Sequence, residues 1–257
     1  ITPHRLMLAS LALVTVLSGT LVFASQRPTG AATIVTTDLT GALTPADLVN
    51  TLVGSGITTS NVAYTGEDIA SGQFSGGSVI GGAGLGFDSG VMLSSGQISD
   101  AQGPNDSPGT TLDHPTTAGD ADLNTLSGFV TQDAAVLTFD FVPQASTVEF
   151  QYVFASEEYN EFVNTNFNDV FAFFINGVNC ATVPGPSGPQ PVTINTVNNG
   201  NPFGSEPNSN PSLFVNNEEA FDPNTGDPLP IPFDFEPDGF DLAEEAAFLP
   251  PPPSSCP

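Results

Sequence analysis

The stretch Ala134–Val142 (AAVLTFDFV), followed by Thr147–Ala155 (TVEFQYVFA) and Asp169–Ile175 (DVFAFFI), decides the fold class. Apolar residues occupy every second position of the first two stretches, and polar residues lie between them. This alternation with a period of two predicts half-buried antiparallel strands. The third stretch is apolar at nearly every position, which predicts a central strand covered on both faces.

The residues around these stretches predict turns and further strands. Val142–Ser146 is interpreted as a hairpin connection between the first two strands, and Asn176-Gly177 as a tight turn. Val192–Val197 (VTINTV) predicts another strand, and Pro228–Phe235 predicts an edge strand. Prolines concentrate after Val183, which disfavours central strands in that part of the chain.

Helical signals are few and short. Thr44-Pro45-Ala46-Asp47 combines an N-cap residue, a proline in the first turn and an early acid, so it predicts a short helix that ends near Gly54. A single helical turn is expected at Asp120–Leu126. Many strands and few helices predict an all-β protein, an antiparallel, jelly-roll-like β-sandwich with one or two short helices.

The charge balance excludes several classes of function. The chain has 28 acidic residues against two basic ones, and its formal net charge is −26. Without a basic surface to neutralise phosphates, nucleic-acid binding is excluded. Lysine is absent, which excludes Schiff-base chemistry and the Walker phosphate loop. Past the first residues His114 is the one imidazole, so a multi-histidine zinc site is excluded too; we expect His114 to lie exposed in a loop.

The first residues predict export. Arg5 precedes the uncharged apolar run Leu6–Phe23, and Val22-Phe23-Ala24 offers small residues for a signal peptidase. Residues 1–24 are therefore interpreted as a signal peptide cleaved after Ala24, with Gly30-Ala31-Ala32 as a second candidate exit. An uncleaved N-terminal anchor is the alternative. Residues 25–37 are a polar lead-in, and no later run is long enough to span a membrane. We expect a secreted or cell-surface protein.

Two cysteines, Cys180 and Cys256, remain after the predicted leader. One disulfide between them is compatible with an oxidising compartment. Against that pairing, Cys256 lies in a proline-rich tail, residues 241–257, whose composition is unlike that of the rest of the chain.

Several of these stretches together resemble a known family. They are residues 133–143 (DAAVLTFDFVP), 153–163 (VFASEEYNEFV), 167–174 (FNDVFAFF) and 192–203 (VTINTVNNGNPF). Their order along the chain and their amino-acid sequences resemble the choice-of-anchor L domain of bacterial secreted and surface proteins, here over residues 38–240. The resemblance implies an exported protein with no enzymatic activity and provides no catalytic residues to carry over.

The end of the chain departs from the family pattern. Members of the family continue with further strands after the position of Asp238-Gly239-Phe240, whereas this chain runs into residues 241–257. We interpret that tail as a truncated or aberrant end.

One group of side chains is a candidate cation site. Carboxylate and amide oxygens suit Ca²⁺, which takes six to eight oxygen ligands, and they are dense beside the DVFAFFI strand. The candidate ligands are Glu157, Glu158, Asn168 and Asp169, with Asp120 and Asp122 approaching from another loop. The alternative is that these residues cap strand ends and hydrate a surface loop.

Three functions are compatible with these features. The first is an extracellular, non-catalytic surface, adhesive or structural module, stabilised by Ca²⁺, whose partner is extracellular matrix, an envelope component or a polysaccharide. The second is a carbohydrate-binding module on a lectin-like sandwich. The third is a secreted glycoside hydrolase, which needs two convergent carboxylates. Glu157 and Glu158 are adjacent on a predicted strand and point to opposite faces, which argues against them as that pair.

Overall fold

A computed structural model of the chain gives the fold. It describes residues 4–9 and 12–15 through their backbone, and, with their side chains, residues 34–54, 56–77, 85, 87–102, 112–143, 151–156, 158, 162–201 and 207–214. The predicted edge strand Pro228–Phe235 and the tail 241–257 lie outside these residues.

The described part of the chain is built mainly from β-strands. Their bounds are β1 His4–Ala9, β2 Ala12–Thr15, β3 Val35–Asp38, β4 Thr58–Thr65, β5 Ser71–Ser75, β6 Ser89–Leu93, β7 Val136–Val142, β8 Gln151–Phe154, β9 Val170–Ile175, β10 Val178–Asn179, β11 Thr182–Val183 and β12 Gln190–Thr193.

These strands form two antiparallel sheets. The first has the order β11-β12-β9-β1-β7-β4, with β10 also paired to β9, and the second has the order β3-β5-β6-β2-β8. Every pairing between these strands is antiparallel. The predicted all-β sandwich is confirmed.

The core lies between the two sheets. The ring of Tyr152 on β8 lies 4.7 Å from the ring of Phe171 on β9, so aromatic side chains from the two sheets meet directly. Phe139 on β7 and Phe154 on β8 are also fully buried. Burying aromatic side chains of this size removes large apolar areas from water and dominates the energetics of such a core.

The burial of β7 and β9 follows the sequence pattern. Along β7, Leu137, Phe139 and Phe141 are buried, whereas Thr138 and Asp140 are half-buried. Every residue of β9 is buried, as its uninterrupted apolar sequence predicts. β9 has neighbours on both sides in the sheet and is therefore a central strand.

Helix α1, Pro45–Leu52, begins as predicted. The Thr44 hydroxyl accepts a hydrogen bond from the amide of Asp47, and the Asp47 carboxylate accepts one from the amide of Thr44, which together form a capping box. Leu48 and Leu52 are buried, and α1 ends two residues before Gly54.

Helix α2, Ala121–Ser127, is the second predicted helical segment. Asp120 is its N-cap, and Gly128 ends it in the left-handed conformation with φ 79°, which glycine adopts without steric cost.

The predicted hairpin at Val142–Ser146 is wrong. β7 lies in the first sheet beside β1 and β4, whereas β8 lies in the second sheet beside β2. The two strands are therefore not hairpin partners, because they lie in different sheets and their apolar faces pack across the core.

The predicted strand Val192–Val197 is too long at its end. β12 stops at Thr193, and residues 194–196 form a turn. The Thr196 hydroxyl accepts a hydrogen bond from the amide of Thr193 (2.9 Å) and donates one to the carbonyl of Pro191 (2.7 Å), so a side chain takes over the backbone groups that a longer strand would pair.

Two buried side chains, His114 and Cys180, bear on predictions made from the sequence. His114 is buried instead of exposed, and its Nε2 lies 2.8 Å from the carbonyl oxygen of Gly96, to which it donates. Cys180 is buried and disulfide-bonded. The sequence has one other cysteine, Cys256, which lies outside the described residues.

The apolar N-terminal segment takes part in both sheets. β1 lies between β7 and β9 in the first sheet, and β2 lies between β6 and β8 in the second. Removal of residues 1–24 as a leader stays a prediction. Within the described residues, the structure contains no helix of sufficient length and apolarity to cross a bilayer.

Candidate functional site

The loop between β8 and β9 begins at a buried serine. The Ser156 hydroxyl donates a hydrogen bond to Asp169 Oδ2 (2.7 Å) and accepts one from the amide of Glu158 (3.1 Å). Ser156 is almost completely buried. It therefore fixes the end of one strand of the second sheet to the residue that precedes β9 in the first sheet.

Two carboxyl groups come together at this point. Burial, and then repulsion from Asp169, raise the pKa of Glu158 to about 7. Burial also raises the pKa of Asp169, and the hydrogen bond from Ser156 partly opposes that rise. No lysine or arginine follows Arg27 in the sequence, and among the described side chains neither carboxyl group has a cationic partner. A proton or a cation would relieve their repulsion.

Asn168 is engaged in the structure of the loops. Its side-chain oxygen accepts from the amide of Asn195 (3.0 Å), and its side-chain nitrogen donates to the carbonyl of Ser127 (3.1 Å). Asn195 in turn accepts from the amide of Asn164 and donates to the carbonyl of Thr165 (3.3 Å). These hydrogen bonds join three loops, so the two asparagine side chains hold the loops together.

The two aspartates near α2 lie apart from that pair. The Asp120 carboxylate accepts from the amides of Asp122 (2.8 Å) and Leu123 (3.1 Å), which is the ordinary role of an N-cap. The bond from Asn168 to Ser127 attaches the opposite end of α2 to the β8–β9 loop, about 10 Å away along the helix axis. Asp122 is exposed on the first turn.

Of the six predicted Ca²⁺ ligands, the structure thus brings together Glu158 and Asp169, with Asn168 adjacent in sequence but engaged elsewhere. Glu157 lies outside the described residues. In the part of the chain that the structure describes, no three His, Cys, Asp or Glu side chains come close enough together to hold a metal ion. The predicted Ca²⁺ site stays a prediction.

Exposed apolar side chains lie on two loops that a hydrogen bond joins, and one of these loops leads to Asp169. We use the term rim for residues 128–131, which follow α2, and residues 162–168, which lie shortly before β9. Val130 is 81% exposed and Phe167 57% exposed, and Phe129 and Phe162 are exposed as well. The rings of Phe162 and Phe167 pack edge to face at 5.0 Å.

Hydrogen bonds hold the rim in shape. The Asn124 side chain accepts from the amide and the hydroxyl of Thr131, the latter at 2.8 Å, and fixes the loop that carries Phe129 and Val130. The carbonyl of Phe162 accepts from the amide of Thr165 (3.0 Å), which closes a turn before Phe167. The exposed apolar side chains therefore project from an ordered backbone.

A further asparagine supports the same end of the molecule and was missed by the sequence analysis. Asn198 is fully buried, donates to the carbonyl of Ile194 (2.8 Å) and accepts from the amides of Gly200 (3.0 Å) and Ser209 (3.1 Å). Asn198 lies in the stretch VTINTVNNGNPF, which is one of those that carry the family resemblance. No pattern in that stretch distinguishes a buried asparagine from an exposed one.

Comparison with curated proteins and with solved structures gave no match. The sequence pattern of the Choice-of-anchor L domain matches residues 35–234, which is most of the chain and contains α1, α2, both carboxyl groups and every strand from β3 onward. Domains of this kind occur in secreted or cell-surface proteins and are generally non-enzymatic. The chain belongs to the Choice-of-anchor L domain family.

Proposed function

We propose that the chain acts outside the cell as a non-catalytic contact module whose rim docks on extracellular matrix or on a component of the cell envelope. One observation carries the proposal: Phe129, Val130, Phe162 and Phe167 are exposed on loops that a hydrogen bond between Asn168 and Ser127 joins. Single exposed apolar residues are normal on a protein surface, but a group on ordered loops is typical of an interaction surface.

The charge of the chain narrows the chemistry of the partner. The rim lies beside Glu158 and Asp169, and no cationic side chain occurs after Arg27. Acidic polymers such as teichoic acids and nucleic acids are therefore poor partners, because their approach is repulsive over several ångströms. A surface that combines apolar and cationic groups fits better.

The binding test uses substitutions at the rim and a matched control. The fluorescently labelled chain is titrated onto isolated envelope and onto matrix material, and compared with a triple variant Phe129→Ser, Phe162→Ser and Phe167→Ser. We expect the triple variant to lose at least tenfold in apparent affinity. Val178→Ser removes an equally exposed apolar side chain from β10, away from the rim, and is expected to bind like the parent. Equal binding of all three proteins would refute the role of the rim.

Ca²⁺ enters the proposal as a stabilising ion. Glu158 and Asp169 lie close enough for mutual repulsion to raise the pKa of Glu158, and a divalent cation neutralises such a pair. Because Asn168 and Asp120 are engaged in the loops and in the cap of α2, the ion would draw its other ligands from water and from the backbone.

Carbohydrate binding is the second candidate. The observation that favours it is the exposed pair Phe162 and Phe167, since aromatic faces stack on sugar rings, although the chain contains no tryptophan. A glycan array probed in the presence of Ca²⁺ distinguishes the two candidates. Binding to defined glycans that is lost in Phe167→Ser would support the second, and a dark array would leave the first.

A hydrolase is the third possibility, because a glycosidase uses a close pair of carboxyl groups, one of them an acid with a raised pKa, as Glu158 has. Against it, Asp169 Oδ2 is engaged by Ser156, and the family is generally non-enzymatic. We expect no release of reducing ends from a panel of polysaccharides. Release that disappears in Glu158→Gln would establish catalysis instead.

A further inference from the structure

The middle of each sheet is filled by the first residues of the chain. β1 pairs along its whole length with β7, with Leu6 opposite Phe139 and Leu8 opposite Leu137, and it also pairs with β9. β2 pairs with β6 on one side and with β8 on the other. Residues 4–9 and residues 12–15 therefore contribute one strand to each sheet, and both strands lie between other strands.

The neighbours of β1 have no other way to pair along this edge. β7 and β9 are both antiparallel to β1, so they run parallel to each other with one strand between them. Strands lie about 4.8 Å apart in a sheet, so without β1 the gap between β7 and β9 is about 10 Å, too wide for a direct hydrogen bond. The same holds for β6 and β8 without β2.

We use the term slot for the gap that the absence of β1 would leave between β7 and β9. Leaving this slot empty would destabilise the fold. The side chains of β9 are all buried, and its backbone amides and carbonyls facing β1 would lose their partners. Buried backbone groups without partners are rare in native proteins, and an open edge of this kind readily accepts another strand.

The strands that flank the slot lie inside the region that matches the family, whereas the strand that occupies it lies outside that region. The family match begins at residue 35, so β6, β7, β8 and β9 lie inside the family domain and residues 4–15 lie outside it. The family domain thus contains the acceptor edges, and the strand that fills them comes from a segment beyond its boundary.

We propose that the domain contains a strand-acceptor site and that β1 and β2, residues 4–9 and 12–15, are its donor strands, which requires that residues 1–24 stay attached to the chain and are not removed as a leader. Recognition uses backbone hydrogen bonds to four flanking strands, and donor positions opposite the buried residues Leu137, Phe139 and Phe173 require apolar side chains. The chemical class of the ligand is an extended, apolar polypeptide segment. The site is independent of the rim and does not rest on the proposed contact function.

The first test asks whether the donor stays bound without a covalent connection. A recognition sequence for a site-specific protease is inserted after Ala24 in the full chain, and the purified folded protein is cut. We expect fragment 1–24 to co-elute with the remainder on a native size-exclusion column and to separate in concentrated guanidinium chloride. Separation of the fragment from a remainder that stays folded would overturn the proposal.

The second test measures the register in the uncut chain. Met7 lies opposite Thr138, so the double variant Met7→Cys and Thr138→Cys should form a disulfide under mild oxidation, identified by mass spectrometry of the cross-linked peptides. The control pairs Met7→Cys with Val142→Cys, four residues further along β7 and about 13 Å away. A high yield in the first pair and little in the control supports the proposed register, whereas equal yields or no cross-link in either overturns it.

Discussion

Ser156 Oγ donates a hydrogen bond of 2.7 Å to Asp169 Oδ2, and through it the end of β8 in one sheet is attached to the residue before β9 in the other. The same oxygen accepts from the amide of Glu158 (3.1 Å). One buried hydroxyl thus sets the positions of both members of the carboxyl pair. Its removal is the most direct test of how this corner of the molecule is held together.

Ser156→Ala is expected to lower the free energy of unfolding by about 2 kcal/mol, because the buried hydrogen bond to Asp169 is lost and the amide of Glu158 is left without its acceptor. Urea denaturation measures the change. Thr125→Ala is the matched control, since the exposed Thr125 hydroxyl bonds to a carbonyl of its own helix. A loss equally small in both variants would show that the Ser156 bond contributes little.

Glu158→Gln is expected to change the pH dependence of stability. The pKa of Glu158 is about 7 in the folded protein against an ordinary value of 4.5, so the folded state holds a proton that the unfolded state has released. The resulting stabilisation is complete below about pH 4.5 and is lost as the pH rises through 7. Glu158→Gln should therefore be more stable than the parent at pH 8 and gain nothing at pH 4.5.

The control for this titration is Asp113→Asn, which removes one exposed negative charge from the same strongly acidic chain. Chemical denaturation of all three proteins at both pH values separates a local effect from general charge repulsion. If both substitutions gave the same gain at pH 8, the carboxyl pair would have no special role.

Ca²⁺ binding at the carboxyl pair is expected to compete with protonation of Glu158. Calorimetric titration should give an affinity for Ca²⁺ that rises between pH 6 and pH 8, and that is lost in Glu158→Gln and in Asp169→Asn. Asp122→Asn should bind like the parent, because Asp122 is exposed on the first turn of α2. A titration without heat, together with no change in melting temperature after chelation, would contradict the predicted site.

Asn198→Ala is expected to lower the free energy of unfolding by about 2 to 4 kcal/mol, because it leaves the amides of Gly200 and Ser209 and the carbonyl of Ile194 without their partner. Asn199→Ala removes the same side chain from the exposed neighbouring position and should change stability by less than about 0.5 kcal/mol. Similar losses in the two variants would refute the structural role of Asn198.

Sequence patterns predicted the strands well where one face is apolar. Alternation identified β7 and the end of β8, and the uninterrupted apolar run identified β9 as a central strand. The capping residues of α1 were also read correctly, because Thr44 and Asp47 form their bonds within four residues. These features depend on local chemistry, which the sequence contains in full.

Features that depend on distant contacts were not predictable in this way. Burial of His114 depends on the carbonyl of Gly96, and the placement of β7 and β8 in different sheets depends on packing across the core. The many carboxylate and amide side chains in the sequence between β8 and β9 suggested cation ligands. In the structure, however, both the side-chain oxygen and the side-chain nitrogen of Asn168 form hydrogen bonds with backbone groups. An asparagine whose side chain connects loops by hydrogen bonds cannot be distinguished by sequence from one that binds a cation.

The central place of β1 sets the order of events during synthesis. Its partners in β7 and β9 follow it by about 130 to 170 residues, so at a typical elongation rate of ~5–20 residues per second the first segment waits about 6 to 34 s before it can pair. Throughout that interval the backbone groups of β1 lack the partners that they have in the folded sheet, so the first sheet can be completed only after β9 has been synthesised.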